Sequence, residues 1–112
     1  MSQEAKSMWE ILVPTERRLE PGKYYKTRYH KVWDEKVRNI SGGLTVLTPA
    51  RGEWENPKTG ELFRERMIPV RIIATREEIE KIIDMTMIYY DQLAVLAYKI
   101  SDEVIMKHRD DK

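Results

Sequence analysis

The chain has 112 residues, 41% hydrophobic and 35% charged, with a formal net charge of +1 at pH 7. That length supports one domain, residues 1–112, with a thin core, and the cancelled charge excludes a global field drawing it onto nucleic acid or an anionic membrane. With no cysteine, disulfides, a thiolate nucleophile and a cysteine-based metal site are all excluded. The polar start, Met-Ser-Gln-Glu-Ala-Lys-Ser, is followed by no long apolar run, so neither a signal peptide nor a membrane span is expected and the cytoplasm is the default location.

Residues 1–7 and 107–112 read as flexible ends. Residues 8–13 alternate, with Trp9, Ile11 and Val13 on one face and Met8, Glu10 and Leu12 on the other, which predicts a strand ending at Pro14. A polar connection with a Pro21-Gly22 turn follows. Over 23–40 the period changes: Tyr25, Tyr29, Val32, Trp33, Val37 and Ile40 form a helical stripe. Gly42 and Gly43 supply the stop.

The stretch 42–74 organises the rest. A short strand is expected over 44–48, broken at Pro49 and extended in bent form through 51–54. Asn56-Pro57-Lys58-Thr59-Gly60 is a turn, and 61–74 is the longest strand. Pro69 removes one amide donor, so a bulge or an exposed edge is expected there. Thr75 with Glu78 is a capping box opening a second helix, with Ile79, Ile82, Ile83, Thr86 and Tyr90 as its apolar stripe. A last strand is expected over 93–100, with a strand-like resumption at 104–106.

The order is strand, helix, strand, strand, helix, strand. It predicts an α+β, ferredoxin-like βαββαβ domain: a four-stranded antiparallel sheet with two helices on one face. The other face also looks apolar, since 93–100 offers Leu96 and Tyr98 opposite Val95 and Ala97. An exposed apolar sheet face predicts a homodimer or higher homo-oligomer. The competing expectation is that the tail or the hairpin folds over it.

No phosphate loop, nucleophile elbow or metal-binding histidine pair is present. His30 reads first as a helix-flank histidine; a general base would need a partner in reach. Alternation sends Arg64 and Arg66 to one strand face and Glu65 to the other. With Arg51 and Glu53 they make a charge ladder across the hairpin, or a rim that binds an anionic small molecule. Trp54 either plugs the hairpin base or offers a stacking or interface ring. The aromatic pattern of RNA-binding domains of this topology is absent, although Lys23, Lys26, Arg28, Lys31, Lys36 and Arg38 cluster near the first helix.

Gly43-Leu44-Thr45-Val46, Gly52-Glu53-Trp54, Arg64-Glu65 and the apolar run 68–73 together resemble a family of small bacterial ferredoxin-like domains of unknown function. The resemblance covers the central third of the chain and implies the fold class, not an activity. The expectation that no export signal is present sets the chain apart from many members of that family.

The leading expectation is an oligomeric binding or regulatory module for a small anionic ligand or a protein partner, PII-like in using a long hairpin and clefts between subunits. Arg51, Glu53, Trp54, Arg64 and Arg66 are its candidate ligand-binding residues. The alternative is a small enzyme of the dimeric α/β-barrel or isomerase type, with Glu65 or His30 as the acid–base group. Nucleic-acid binding through the first helix ranks third. No cofactor, metal or membrane is expected.

Overall fold

One long central strand carries the sheet. The computed structural model describes residues 5–109 and contains β1 (Ser7–Pro14), α1 (Thr27–Ser41), β2 (Thr45–Val46), β3 (Ala50–Glu55), β4 (Leu62–Ala74), α2 (Arg76–Tyr89) and β5 (Ala97–Ser101). The sheet order is β2-β4-β1-β5, with β3 also pairing β4. β2 and β3 act as one interrupted strand, so the four-stranded ferredoxin-like order results. All pairs are antiparallel. No helix among the described residues is long and apolar enough to cross a membrane.

The core lies between the helices and one sheet face. Ile11 and Val13 of β1 and Val70, Ile72 and Ala74 of β4 meet Trp33 and Val37 of α1 and Ile79 and Ile82 of α2, all at most 1% exposed. Burying each such aliphatic side chain contributes about 1.5–3 kcal/mol. Trp33 Nε1 donates to Thr86 Oγ1 at 2.9 Å, and Thr86 donates onward to the Ile82 carbonyl at 2.6 Å. The indole and hydroxyl are therefore both satisfied.

The helix ends follow local chemistry. Glu78 N donates to Thr75 Oγ1 at 3.1 Å and Thr75 N to Glu78 Oε1 at 2.9 Å, the capping box read from sequence. Gly42 takes φ +98° and its N–H reaches the Arg38 carbonyl, closing α1.

Several boundaries differ from expectation. α1 starts at Thr27, because Tyr25 N bonds the Thr15 carbonyl and Glu16 bridges Tyr24, holding 23–26 extended. Val32 is 46% exposed rather than on the stripe. β5 begins only at Ala97, since Asp91, at φ +50°, and the residues after it are used in turning the chain off α2. Residues 104–106 form no strand: Ser101 Oγ closes a turn with Glu103. Ser7 already pairs with Ala74, and the remainder of the expected loose ends lies partly outside the described residues.

Pro69 is buried and in regular register with Leu12, so it is neither bulge nor edge. Leu12 sends its N–H to the Leu96 carbonyl, so β1 asks nothing of Pro69. On the other side the Pro69 carbonyl accepts from Leu47 N at 2.9 Å, and its donorless nitrogen faces the break between β2 and β3. The irregularity therefore falls on the facing strand. A second irregularity lies in the β1–β5 pairing at Met8 and Trp9.

Candidate functional site

β3 and the first half of β4 leave the body as a two-stranded arm. Its turn is built as read: Asn56 Oδ1 accepts from Lys58 N at 2.8 Å, and Gly60 takes φ +75°. Every residue of β3 is exposed. The arm stretches the molecule to 58 Å and its radius of gyration to 16.1 Å, against about 13 Å for a compact chain of this length.

Register sorts the arm's residues into two faces. Arg51 opposes Arg66 and Glu53 opposes Arg64 on one; Gly52 opposes Glu65 and Trp54 opposes Phe63 on the other. Glu53 Oε2 pairs with Arg64 Nε at 3.2 Å and Arg51 Nε at 3.9 Å. These pairs are solvent-exposed and worth under about 1 kcal/mol each. Arg66 has no carboxylate partner among the described residues. Trp54 does not plug the hairpin base: it stacks on Phe63 (centroids 4.5 Å, planes 14° apart) and stays 51% exposed.

At the arm's root, Arg64, Glu65 and Arg66 line a cleft of about 350 Å³ together with Thr15, Arg17, Arg18 and Gln92. Thr15 donates to the Arg66 carbonyl at 2.7 Å and ties the arm to the β1–α1 loop. Arg18 is held by Asp91, at 2.9 Å to its carbonyl and 3.4 Å to its carboxylate. The Arg17 guanidinium lies 4.5 Å from the Tyr25 ring centroid, a contact that orients the charge without neutralising it. Arg17 and Arg18 were not singled out in the sequence; only the doublet itself marked them. Arg51, Glu53 and Trp54 are not among the residues lining this cleft.

Glu65 and His30 do not meet. His30 is half-buried between the helices, its Nδ1 2.6 Å from the Tyr90 hydroxyl. Burial lowers its pKa, with Asp34 pulling the other way. Burial likewise raises Tyr90's. Both shifts favour the neutral imidazole and the neutral phenol, which share this hydrogen bond. Tyr25, Tyr29 and Tyr89 pack around this pair, with Tyr25 donating to the Tyr90 carbonyl at 2.7 Å. The partner that the sequence could not supply thus exists, and its work is to join α1 to α2. Of the basic cluster, Lys23, Lys26 and Arg28 line a separate cleft with Tyr24.

The sheet face away from the helices holds a feature missed in the sequence. Glu10, 9% exposed, accepts from Arg71 Nε at 3.1 Å and from the Tyr98 hydroxyl. The hydrogen bond to Glu10 is the main cause raising Tyr98's pKa. A lone acid in β1 and a lone base in the apolar half of β4 were the available signal. Only their register, Glu10 opposite Arg71, turns them into a pair.

No known family matches the chain, and no curated protein does. Solved structures do. The divalent cation tolerance protein CutA1 from Thermus thermophilus superposes with TM-score 0.61 at 9% identity, over 88% of this chain and 87% of that one. The chain has a ferredoxin-like fold. A second CutA1, from Ehrlichia chaffeensis, gives TM-score 0.60 at 7% identity, over 98% and 89%. A phage SAM lyase in complex with S-methyl-5′-thioadenosine gives 0.61 at 14% identity, over 90% and 93%. At these identities the likeness is one of fold alone.

Proposed function

We propose that the chain is a self-assembling binding module, with a small anion held at the root of the arm. The observation that carries the reading is the arm. An isolated two-stranded hairpin is marginal in water, yet this one stands clear of the body with its indole half-exposed. Its Trp54–Phe63 face continues the open sheet face, because Phe63 and Met67 lie on the same side of β4 as Ile73. Leu96, Tyr98 and Ile100 on that sheet are 60%, 41% and 43% exposed. A second copy of the chain can cover both regions at once, and an apolar surface of this extent is unusual in a monomer.

Four arginines and one glutamine line the arm's root beside Glu16 and Glu65. Arg18 and Arg64 are paired with Asp91 and Glu53, and the anion reading is supported by Arg66, which has no carboxylate partner among the described residues, and by Arg17. Among the described residues no three His, Asp or Glu side chains converge as metal donors. The lyase complex is a precedent for a small organic molecule on this fold.

Light scattering after size-exclusion chromatography at micromolar concentration tests the assembly. The expected mass is that of two or more chains, falling to one in Trp54→Ala/Phe63→Ala. A monomeric parent protein overturns the reading. For the site, isothermal titration with inorganic pyrophosphate is expected to show binding that Arg64→Met/Arg66→Met weakens about tenfold. Equal binding by parent and variant removes the arm from the site.

A further inference from the structure

The open sheet face is crossed by one polar row. Thr45 of β2, Arg71 of β4, Glu10 of β1 and Tyr98 of β5 stand at the same level. The neighbouring rows are apolar: Met8 with Ile73 on one side, Leu12 with Pro69 on the other. A buried carboxylate is costly unless paired and hydrogen-bonded, and apolar replacements of such groups are often neutral or better for stability. The fold alone therefore has no need of this row.

What the row does is hold Arg71 still. Its Nε is committed to Glu10, and the rest of the guanidinium has no partner among the described residues. Arg71 lines a cleft of about 460 Å³ beside the end of α1, with apolar walls from Met8, Leu44, Ile73 and Met106. Lys6 lines it too, its ammonium donating to the Ser41 carbonyl at 3.2 Å and paired with Glu78 Oε1 at 3.4 Å, so the charge left for a ligand is that of Arg71. Gly43, another lining residue, has no positive φ and nothing within 4 Å of where a Cβ would stand. The backbone does not require a glycine there, and a side chain at this lining position would meet open space at its Cβ.

We infer that this cleft binds a small organic anion, a carboxylate or phosphate on an apolar body. Arg71 is the anion donor, and Glu10 and Tyr98 are its positioning residues. The volume and the apolar lining with a few fixed polar groups match a small-molecule site. A guanidinium held at Nε presents its remaining N–H groups to a planar or tetrahedral anion. Every lining residue comes from one copy of the chain and none from the arm, while Met8, Arg71 and Ile73 lie on the sheet face that the proposed assembly covers.

The test is methyl NMR on protein labelled at its methionine methyls, titrated with naphthoate, naphthyl phosphate and the neutral naphthalenemethanol. Both anions are expected to shift the Met8 and Met106 signals, and the tighter one identifies the charged group. The alcohol is expected to bind about tenfold more weakly or worse, as is either anion to Arg71→Met. Gly43→Leu is expected to abolish the shifts with an unchanged urea midpoint, which keeps the test valid if Arg71→Met unfolds. Unmoved Met8 and Met106 signals at millimolar anion overturn the inference. So does equal binding of alcohol and anions, or parental binding by Gly43→Leu.

Discussion

Arg71→Met measures what keeps Glu10 in place. The Glu10 side chain is 12% exposed and that of Arg71 is 47% exposed. Removing one partner of a wholly buried ion pair costs about 3–5 kcal/mol, and an exposed pair is worth under about 1 kcal/mol. The half-exposed guanidinium places this pair between those limits. The Tyr98 hydroxyl also remains on the carboxylate. The expected loss is about 1–2 kcal/mol after discounting for solvent screening, or about 4–8 °C in melting temperature for a chain of this size. Glu10→Leu/Arg71→Met removes both charges and is expected to recover at least half of that loss, since Tyr98 keeps access to water. The assay is a double-mutant cycle by urea unfolding at pH 7, at one fixed protein concentration so that assembly does not enter the comparison. A loss under about 0.5 kcal/mol in Arg71→Met, or a double variant no more stable than the single one, refutes the coupling and leaves the polar row without its central contact.

Three further outcomes are expected. Thr75→Ala removes the side-chain half of the α2 capping box, leaving the backbone N–H of residue 75 on Glu78, and lowers stability by about 1 kcal/mol, read from thermal melts by circular dichroism. Gly42→Ala costs about 1 kcal/mol because its φ of +98° suits only glycine, whereas Gly43→Ala stays within about 0.5 kcal/mol, having no such strain; equal effects would sink the distinction. The pKa of His30 is held below its ordinary 6.5, chiefly by burial. The unfolded chain then takes up a proton more readily than the folded one. This contribution is complete above that value and is lost as pH falls through it toward the lower folded pKa. Urea midpoints from pH 7 to pH 5 should fall less steeply in His30→Gln than in the parent; parallel slopes would show that His30 is not the group responsible.

Much of the fold was legible because its signals are local. The capping box needs only Thr75 and Glu78, the turn needs Asn56 and Gly60, and the helix stop needs Gly42. The stripes of Trp33, Val37, Ile79 and Ile82 announce their own period. The start of α1 was misplaced because Lys23–Tyr25 bond backward to a loop that has no periodic signature. Pro69 was misread as a defect of β4 because the gap that accommodates it belongs to another strand. The arm's charge pattern was readable from alternation. That Trp54 stays exposed against Phe63 was not, since it depends on how far the hairpin leaves the body.

Composition, alternation and turn chemistry, all properties of neighbours in the chain, determined the element order and hence the ferredoxin-like class. They also placed Arg64 and Arg66 on one face of a strand, and the register then set Arg51 and Glu53 opposite them. Only the tertiary structure decided which distant residues became partners. His30 meets Tyr90 across 60 positions, Glu10 meets Arg71 across 61, and Arg17 and Arg18 come to stand at the root of the arm. The reason is physical: a side chain's charge and exposure are set by what register and packing bring against it. Glu10 reads in the chain as one acid in an apolar strand, and only the strands on either side supply Arg71 and Tyr98 to receive it.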